Sequence, residues 1–227
     1  MPELTISLVM PVLNEAQGLE RQFSDLARQD LGEVVVVDGG SRDQTLSIAR
    51  QSGVKVISSQ PGRARQLNLG AEHASGDCLI FLHADTRLPA NSAKLIREAL
   101  CASHCWGRFD VCIEGRHPWF PVIATAMNWR SRLTGIATGD QAIFMTREAF
   151  NSVDGFPDQP LMEDIEISRR LKHLSRPACL RQKVVTSGRR WEKSGVWKTM
   201  SLMWRLRWRY WRGESPEHLA REYRHVR

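Results

Sequence analysis

In the N-terminal half, apolar residues gather into short unbroken runs separated by mixed segments. Thr5–Leu13 is rich in β-branched and aliphatic residues and closes on Asn14; Glu33–Asp38 reads EVVVVD; Val54–Ser58 and Cys78–Leu82 follow. Short continuous apolar runs predict strands buried on both faces, the mark of a parallel sheet. The segments between them read as helices. Leu19, Phe23 and Leu26 recur at helical spacing, and a second helix runs through Arg50 from a start that Ser41 or Asp43 can cap. RARQLNLGAEHA follows the breaker Pro61-Gly62, and Asn91–Cys101 is the next helix. Strand and helix alternating with short turns predict an α/β fold, a mostly parallel open sheet with helices on both faces. Right-handed crossovers put the carboxyl ends of parallel strands on one edge. Asn14/Glu15, Asp38, the 58–65 turn and His83/Asp85 therefore converge on one rim, where open sheets bind ligands.

The second half is less regular. Cys105–Glu114 predicts an antiparallel strand, and Arg116–Gly135 a Pro- and aromatic-rich loop leading into a helix. Ala142–Met145 reads as a short strand, Glu148–Val153 as a short helix, and Ala178–Val185 as a last strand before a loop over Ser187–Gly195. Glu163–Leu174 is a strong helix signal, with acids in its first turn and apolar residues at 167, 171 and 174. Trp197, Trp204, Trp208 and Trp211 fall on one narrow helical stripe flanked by Arg205, Arg207, Arg209 and Arg212. Such a helix suits an anionic membrane interface, with indoles at headgroup depth. A stripe facing the core or a second copy in a homodimer fits the pattern equally. Ser215 caps a short final helix with Pro216 in its first turn.

Composition narrows the class. With 42% apolar and 25% charged residues the chain reads as an ordinary globular protein, and no apolar run approaches the ~20 residues of a spanning helix. MPELTISLVMPVLNE has no basic stretch before its apolar residues, unlike a signal peptide, and the odd number of cysteines without a CxxC pair fits a reducing cytoplasm. The net charge of +7 is uneven. Residues 172–227 hold 15 Lys/Arg against 4 Asp/Glu, a net +11, leaving −4 on residues 1–171. A basic tail points to anionic partners, phosphates or an anionic lipid surface at the inner membrane face. No motif for reading nucleic acid accompanies it, so nucleic acid is not an expected partner.

Candidate chemistry sits on the predicted rim. MPVLNEA (10–16), VVDGGSRDQT (36–45), GRARQLNLGA (62–71), HAD (83–85), GDQAIF (139–144), MEDIEISRRL (162–171) and GRRW (188–191) occur in that order. The ordered set resembles the inverting glycosyltransferases of family 2, which have the GT-A fold. FLHADTRLP and the SPEHLAREYRHVR ending further resemble a small subfamily found near radical-SAM proteins and linked to arsenosugar formation. The resemblance implies transfer of a hexose from a nucleotide diphosphate-sugar, UDP-linked by preference, to an unidentified hydroxyl acceptor. It implies that Pro11, Asn14, Glu15 and Asp38 bind the nucleotide, with Arg63 and Arg65 available for phosphate or base. Asp85 matches the last acid of the family's metal-binding triplet, whose first position is His83 here; imidazole favours Mn²⁺ over Mg²⁺. Asp164 matches the catalytic base. Glu163, Gly139, Asp140, Arg189, Arg190 and Trp191 match positions around the donor sugar and acceptor.

The simplest partition is a GT-A domain over residues 1–195, with a nucleotide-binding half (1–104) and an acceptor half (105–195), and a basic helical tail over 196–227. Two other readings stand beside it: a sugar-phosphate nucleotidyltransferase, and a non-catalytic nucleotide-sugar-binding protein recruited to a membrane. The nucleotidyltransferase calls for a Gly-rich loop with a basic residue near the N-terminus, where this chain has PVLNEAQG.

Overall fold

The structure, a computed structural model, describes residues 3–225. Its centre is a sheet of eight strands in the order β3-β2-β1-β4-β7-β6-β8-β5. The first four are β1 (Ile6–Val12), β2 (Glu33–Asp38), β3 (Lys55–Ser58) and β4 (Cys78–Phe81), and all run parallel. The reading of this half as a parallel sheet holds.

Side chains alternate across the strands, so the two faces collect different residues. Ile6, Leu8, Met10, Val36, Cys78 and Ile80 pack on one face against α1 (Leu19–Leu26), α2 (Thr45–Gln51) and α4 (Ser92–Ala102). Val9, Val35, Val37, Leu79 and Phe81 pack on the other against α3 (Arg63–His73), α6 (Arg147–Ser152) and α7 (Glu163–Leu171). Asp43 and Ser41 do not cap α2, as the sequence suggested. Gln44 holds the cap position without a side-chain bond, while Asp43 accepts from Ala16 N and from Thr45, and Ser41 Oγ accepts from Asn14 N. These bonds tie the loop after β1 to the loop after β2.

The other half joins through β7 (Phe144–Thr146), antiparallel to β4 and to β6 (Trp106–Glu114). β6 corrects the sequence reading. It is antiparallel to β7 but parallel to β8 (Ala178–Ser187), with a register shift between Phe109 and Asp110. Thr86–Arg87, to which the sequence pattern assigned no element, forms a short edge strand β5 on β8. The expected loop over 187–195 contains a short helix, α8 (Arg189–Ser194).

Two further helices cover the open side. α5 (Phe120–Thr134) lies on β6, held by Asn128, whose amide bridges the N–H and C=O of Val111. α9 (Val196–Trp211) packs Val196 on Phe120 and Ile123, and Leu202 and Leu206 on Met162 and on Leu219 of α10 (Pro216–His225). Ser215 Oγ accepts from His218 N at 3.3 Å, the expected cap of α10. The four tryptophans of α9 point away from this contact, with Trp197, Trp204, Trp208 and Trp211 54, 68, 57 and 79% exposed, so the core-facing alternative is excluded. Among the described residues no helix is long and apolar enough to cross a membrane.

Candidate active site

The carboxyl ends of β1, β2 and β4 deliver polar groups to one edge, as the topology requires. Asp38 is buried at the end of β2, and its carboxylate accepts from Gly40 N and Ser41 N at 3.1 Å. Asn14 takes a left-handed φ of 55°, and its Oδ1 accepts from Arg42 N at 2.8 Å. Glu15 lies 3.6 Å from the Arg189 guanidinium, which also donates to Gln17, so α8 reaches across to the loop after β1. Pro11, Asn14, Glu15 and Asp38 thus frame one side of the edge. Arg65 turns outward onto the exposed Asp158, 3.1 Å away. The side chain of Arg190 lies outside the described residues.

Beside this frame opens a cavity of about 190 Å³. Arg63, His83, Asp85, Gly139, Asp140, Glu163, Asp164 and Trp191 all line it, although they come from five separate stretches of the chain. The first turn of α7 supplies Glu163 and Asp164. Glu163 is buried and lies 3.1 Å from Arg63 Nε. Burial pushes its carboxyl above the ordinary glutamate range; the Arg63 charge opposes this, and neighbouring Asp164 reinforces it. Asp164 Oδ2 accepts from Gly139 N at 3.0 Å, and Oδ1 from Ile165 N at 2.8 Å. Two backbone donors therefore fix the plane of this carboxylate and leave lone pairs facing the cavity.

Gly139 belongs to a 3₁₀ turn (Gly139–Gln141) anchored by reciprocal Thr138 and Gln141 bonds. A Cβ at Gly139 would run into Arg63 Nη2 and His83 Nε2. Glycine is needed here for close approach of the backbone to both side chains. Asp140, in the same turn, places Oδ1 3.3 Å from His83 Nδ1.

His83 Nε2 is buried and has no hydrogen-bond partner. Nε2 abuts the 139–141 turn while Asp140 faces the other ring nitrogen, Nδ1, and Asp85 lines the same cavity; imidazole nitrogen and carboxylate oxygen are the donor types that divalent transition metals accept. Among the described residues no three His, Cys, Asp or Glu side chains are grouped to enclose an ion. An ion placed beside Asp85 would therefore have to draw most of its shell from phosphate oxygens and water, as Mg²⁺ and related ions do on nucleotides.

The sequence reading missed the far wall of the cavity. Thr199, Met203 and Arg207 of α9 and Tyr223 of α10 line it. Behind Arg207 stands Arg130 of α5. Burial drives its guanidinium down to about 10, with the Arg207 charge adding to the shift. Arg207 is itself lowered by burial, while Asp164 and Asp140 pull it back up. One signal was available. Thr199, Leu202 and Leu206 mark a buried stripe on the side of α9 opposite the indoles, and Arg207 lies at its margin.

Residues 7–154, well over half of the chain, match the family described as Glycosyl transferase family 2. The chain belongs to that family. A 4,4'-diaponeurosporenoate glycosyltransferase of Staphylococcus haemolyticus is 33% identical over 93 residues, and a PGL/p-HBAD biosynthesis glycosyltransferase of Mycobacterium bovis is 38% identical over 91. These matches cover 37 and 36% of this chain but only 25 and 36% of the relatives' lengths. Among solved structures, S. aureus TarS 1–349 superposes with a TM-score of 0.65 at 20% identity, over 82% of this chain and 61% of that one. The mannosyltransferase PcManGT of Pyrobaculum calidifontis, in complex with GDP-Man and Mn²⁺, gives 0.63 at 20% identity, over 81 and 56%. The family 2 chain described here therefore has the GT-A fold.

Proposed function

We propose that this family 2 protein is an inverting glycosyltransferase that moves a sugar from a nucleotide diphosphate-sugar to a hydroxyl acceptor, with Asp164 as the general base. The observation that carries the reading is Asp164's place in one cavity with His83 and Asp85. Inverting displacement needs a base on the sugar face opposite the leaving group. The base takes the acceptor's hydroxyl proton, the hydroxyl oxygen bonds to the anomeric carbon, and the bond from that carbon to the diphosphate breaks. Gly139 N and Ile165 N hold Asp164 in position for this transfer, and Asp140 and Trp191 bound the space for the sugar. The Pro11, Asn14, Glu15 and Asp38 frame is assigned to the nucleoside, with UDP as the expected donor diphosphate; TarS has been captured with UDP-GlcNAc. Arg189 stands at the join of frame and cavity, where it can meet the diphosphate.

Asp85 and His83 would hold Mn²⁺ or Mg²⁺, which when bound supplies Lewis-acid neutralisation of the departing diphosphate. We further assign the indole face of α9 to peripheral binding of an anionic membrane, supported by its exposure and by the basic charge of residues 172–227.

The test is a UDP-release assay over a panel of nucleotide sugars with Mn²⁺, paired with calorimetry of UDP. Asp164→Asn should keep UDP affinity and lose turnover by about 10²–10⁴-fold, the usual contribution of a positioned base. Unchanged turnover in that variant removes Asp164 from the mechanism, and UDP affinity unaffected by excess EDTA removes the metal.

A further inference from the structure

Two neighbouring guanidinium groups, Arg207 on the cavity wall and Arg130 behind it, remain without a stated task. Arg207 Nε and Arg130 Nη2 are buried and have no hydrogen-bond partner. A buried charged donor left unpaired is costly, so such groups mark where a ligand completes the contacts. The two arginines come from different helices, α9 and α5, and the Arg207 charge adds to the cost of charging Arg130. Packing alone gives no reason to bring like charges together in a partly dry wall.

The carboxylates nearby do not account for them. Glu163 is taken by Arg63, Asp140 by His83, and Asp164 by two backbone N–H groups. Asp140 and Asp164 attract Arg207 through space, yet its Nε remains unsatisfied. The position also separates the pair from the nucleoside frame. Arg207 lines the cavity together with Thr199, Met203, Tyr223 and Asp164, whereas Pro11, Asn14, Glu15 and Asp38 of the frame do not line it.

We propose that Arg207 and Arg130 form a binding site for a phosphate-like oxyanion carried by the acceptor. The assignment rests on the glycosyltransferase reading for the word acceptor, but the oxyanion site stands on the arginines alone. The Arg207 guanidinium on the cavity wall supplies the fork that a phosphate ester accepts, and Arg130 behind it adds positive charge. An acceptor pinned there by its anion presents to Asp164 only the hydroxyl that its length allows, so the pair selects both substrate class and reacting oxygen.

The experiment titrates inorganic phosphate by calorimetry into the full chain saturated with UDP and Mg²⁺, so that the donor's own diphosphate site is filled. Phosphate is expected to bind the parent. Arg207→Gln and Arg130→Gln should each weaken it at least tenfold, Arg207→Lys should restore part of the loss, and UDP affinity should change less than threefold. Absence of phosphate binding to the loaded parent, or phosphate affinity in both glutamine variants equal to the parent's, overturns the site. A tenfold loss of UDP affinity in Arg207→Gln also overturns it, by moving the arginine onto the donor. If UDP itself fails to bind the parent, the donor reading falls separately. The same phosphate comparison on the free protein then decides the oxyanion site.

Discussion

Gly139 is where the candidate chemistry is most exposed to a single atom. Its N–H holds Asp164, its Cα faces Arg63 and His83, and the side chain of Asp140 meets the same histidine. Gly139→Ala should displace the flexible end of Arg63 and the His83 ring together. Misplacement on the scale of 1 Å costs up to about 10²-fold in rate, so turnover should fall between about tenfold and a hundredfold with little change in Tm. Full activity in the alanine variant would show that neither neighbour needs its present position. Asp164, His83 and Asp85 were legible because each sits in a short motif with a spacing that can be matched. Arg207 was not legible: its role depends on which side of α9 faces the cavity, and the conspicuous indoles drew attention to the opposite side.

At the scale of elements, α9 has two unlike faces. Leu206 is fully buried against Met162 and Leu219, while Trp204, two residues earlier, is mostly exposed. Leu206→Ala removes buried methyl groups at a cost of about 2–5 kcal/mol, and most of that falls on the docking of α9. The expected result is faster tryptic cleavage in the 205–212 segment together with slower transfer, because Arg207 leaves the cavity wall with its helix. Trp204→Ala in vesicle-free buffer is the control and should leave both unchanged. Equal effects from the two variants would mean that docking does not depend on the Leu202/Leu206 contact. The parallel strands β1, β2 and β4 were readable because doubly buried strands write unbroken apolar runs. β5 and α8 were not: two residues make no period, and α8 has no side-chain cap to announce it. The parallel partner of β6 was hidden for another reason, since pairing across distant segments leaves no local trace.

For the whole molecule, order along the chain and place in space part company after residue 104. The N-terminal half follows from alternation and handedness, but the cavity is closed by α5, α7, α9 and α10, whose meeting depends on tertiary packing. That closure fixes which face of α9 is left outside. Trp197, Trp204, Trp208 and Trp211 line up there, and Trp119 meets Trp197 with ring centroids 5.0 Å apart, extending the indole surface towards α5. Exposed Trp129 and Leu133 of α5 add to the apolar area presented by these helices. The charges beside the stripe divide. Arg205 and Arg209 are engaged by Glu222 and Glu214, whereas Arg212 lies over Trp208 at 5.2 Å. Membrane affinity should therefore come mainly from the indoles, with a smaller, salt-sensitive share from the basic residues. An indole passing from water to the headgroup layer contributes about 2 kcal/mol when roughly half its surface is covered, which is more than tenfold in partitioning. The full chain should pellet with vesicles containing phosphatidylglycerol and less with phosphatidylcholine alone. Trp204→Ala combined with Trp211→Ala should reduce pelleting at least tenfold without altering UDP binding, because both side chains lie outside the cavity. If the parent stays in the supernatant with anionic vesicles, the lipid assignment fails and a second copy or another protein becomes the partner for this face. If the parent pellets and the double variant pellets equally, the basic charge holds the protein to the vesicle and the tryptophans do not.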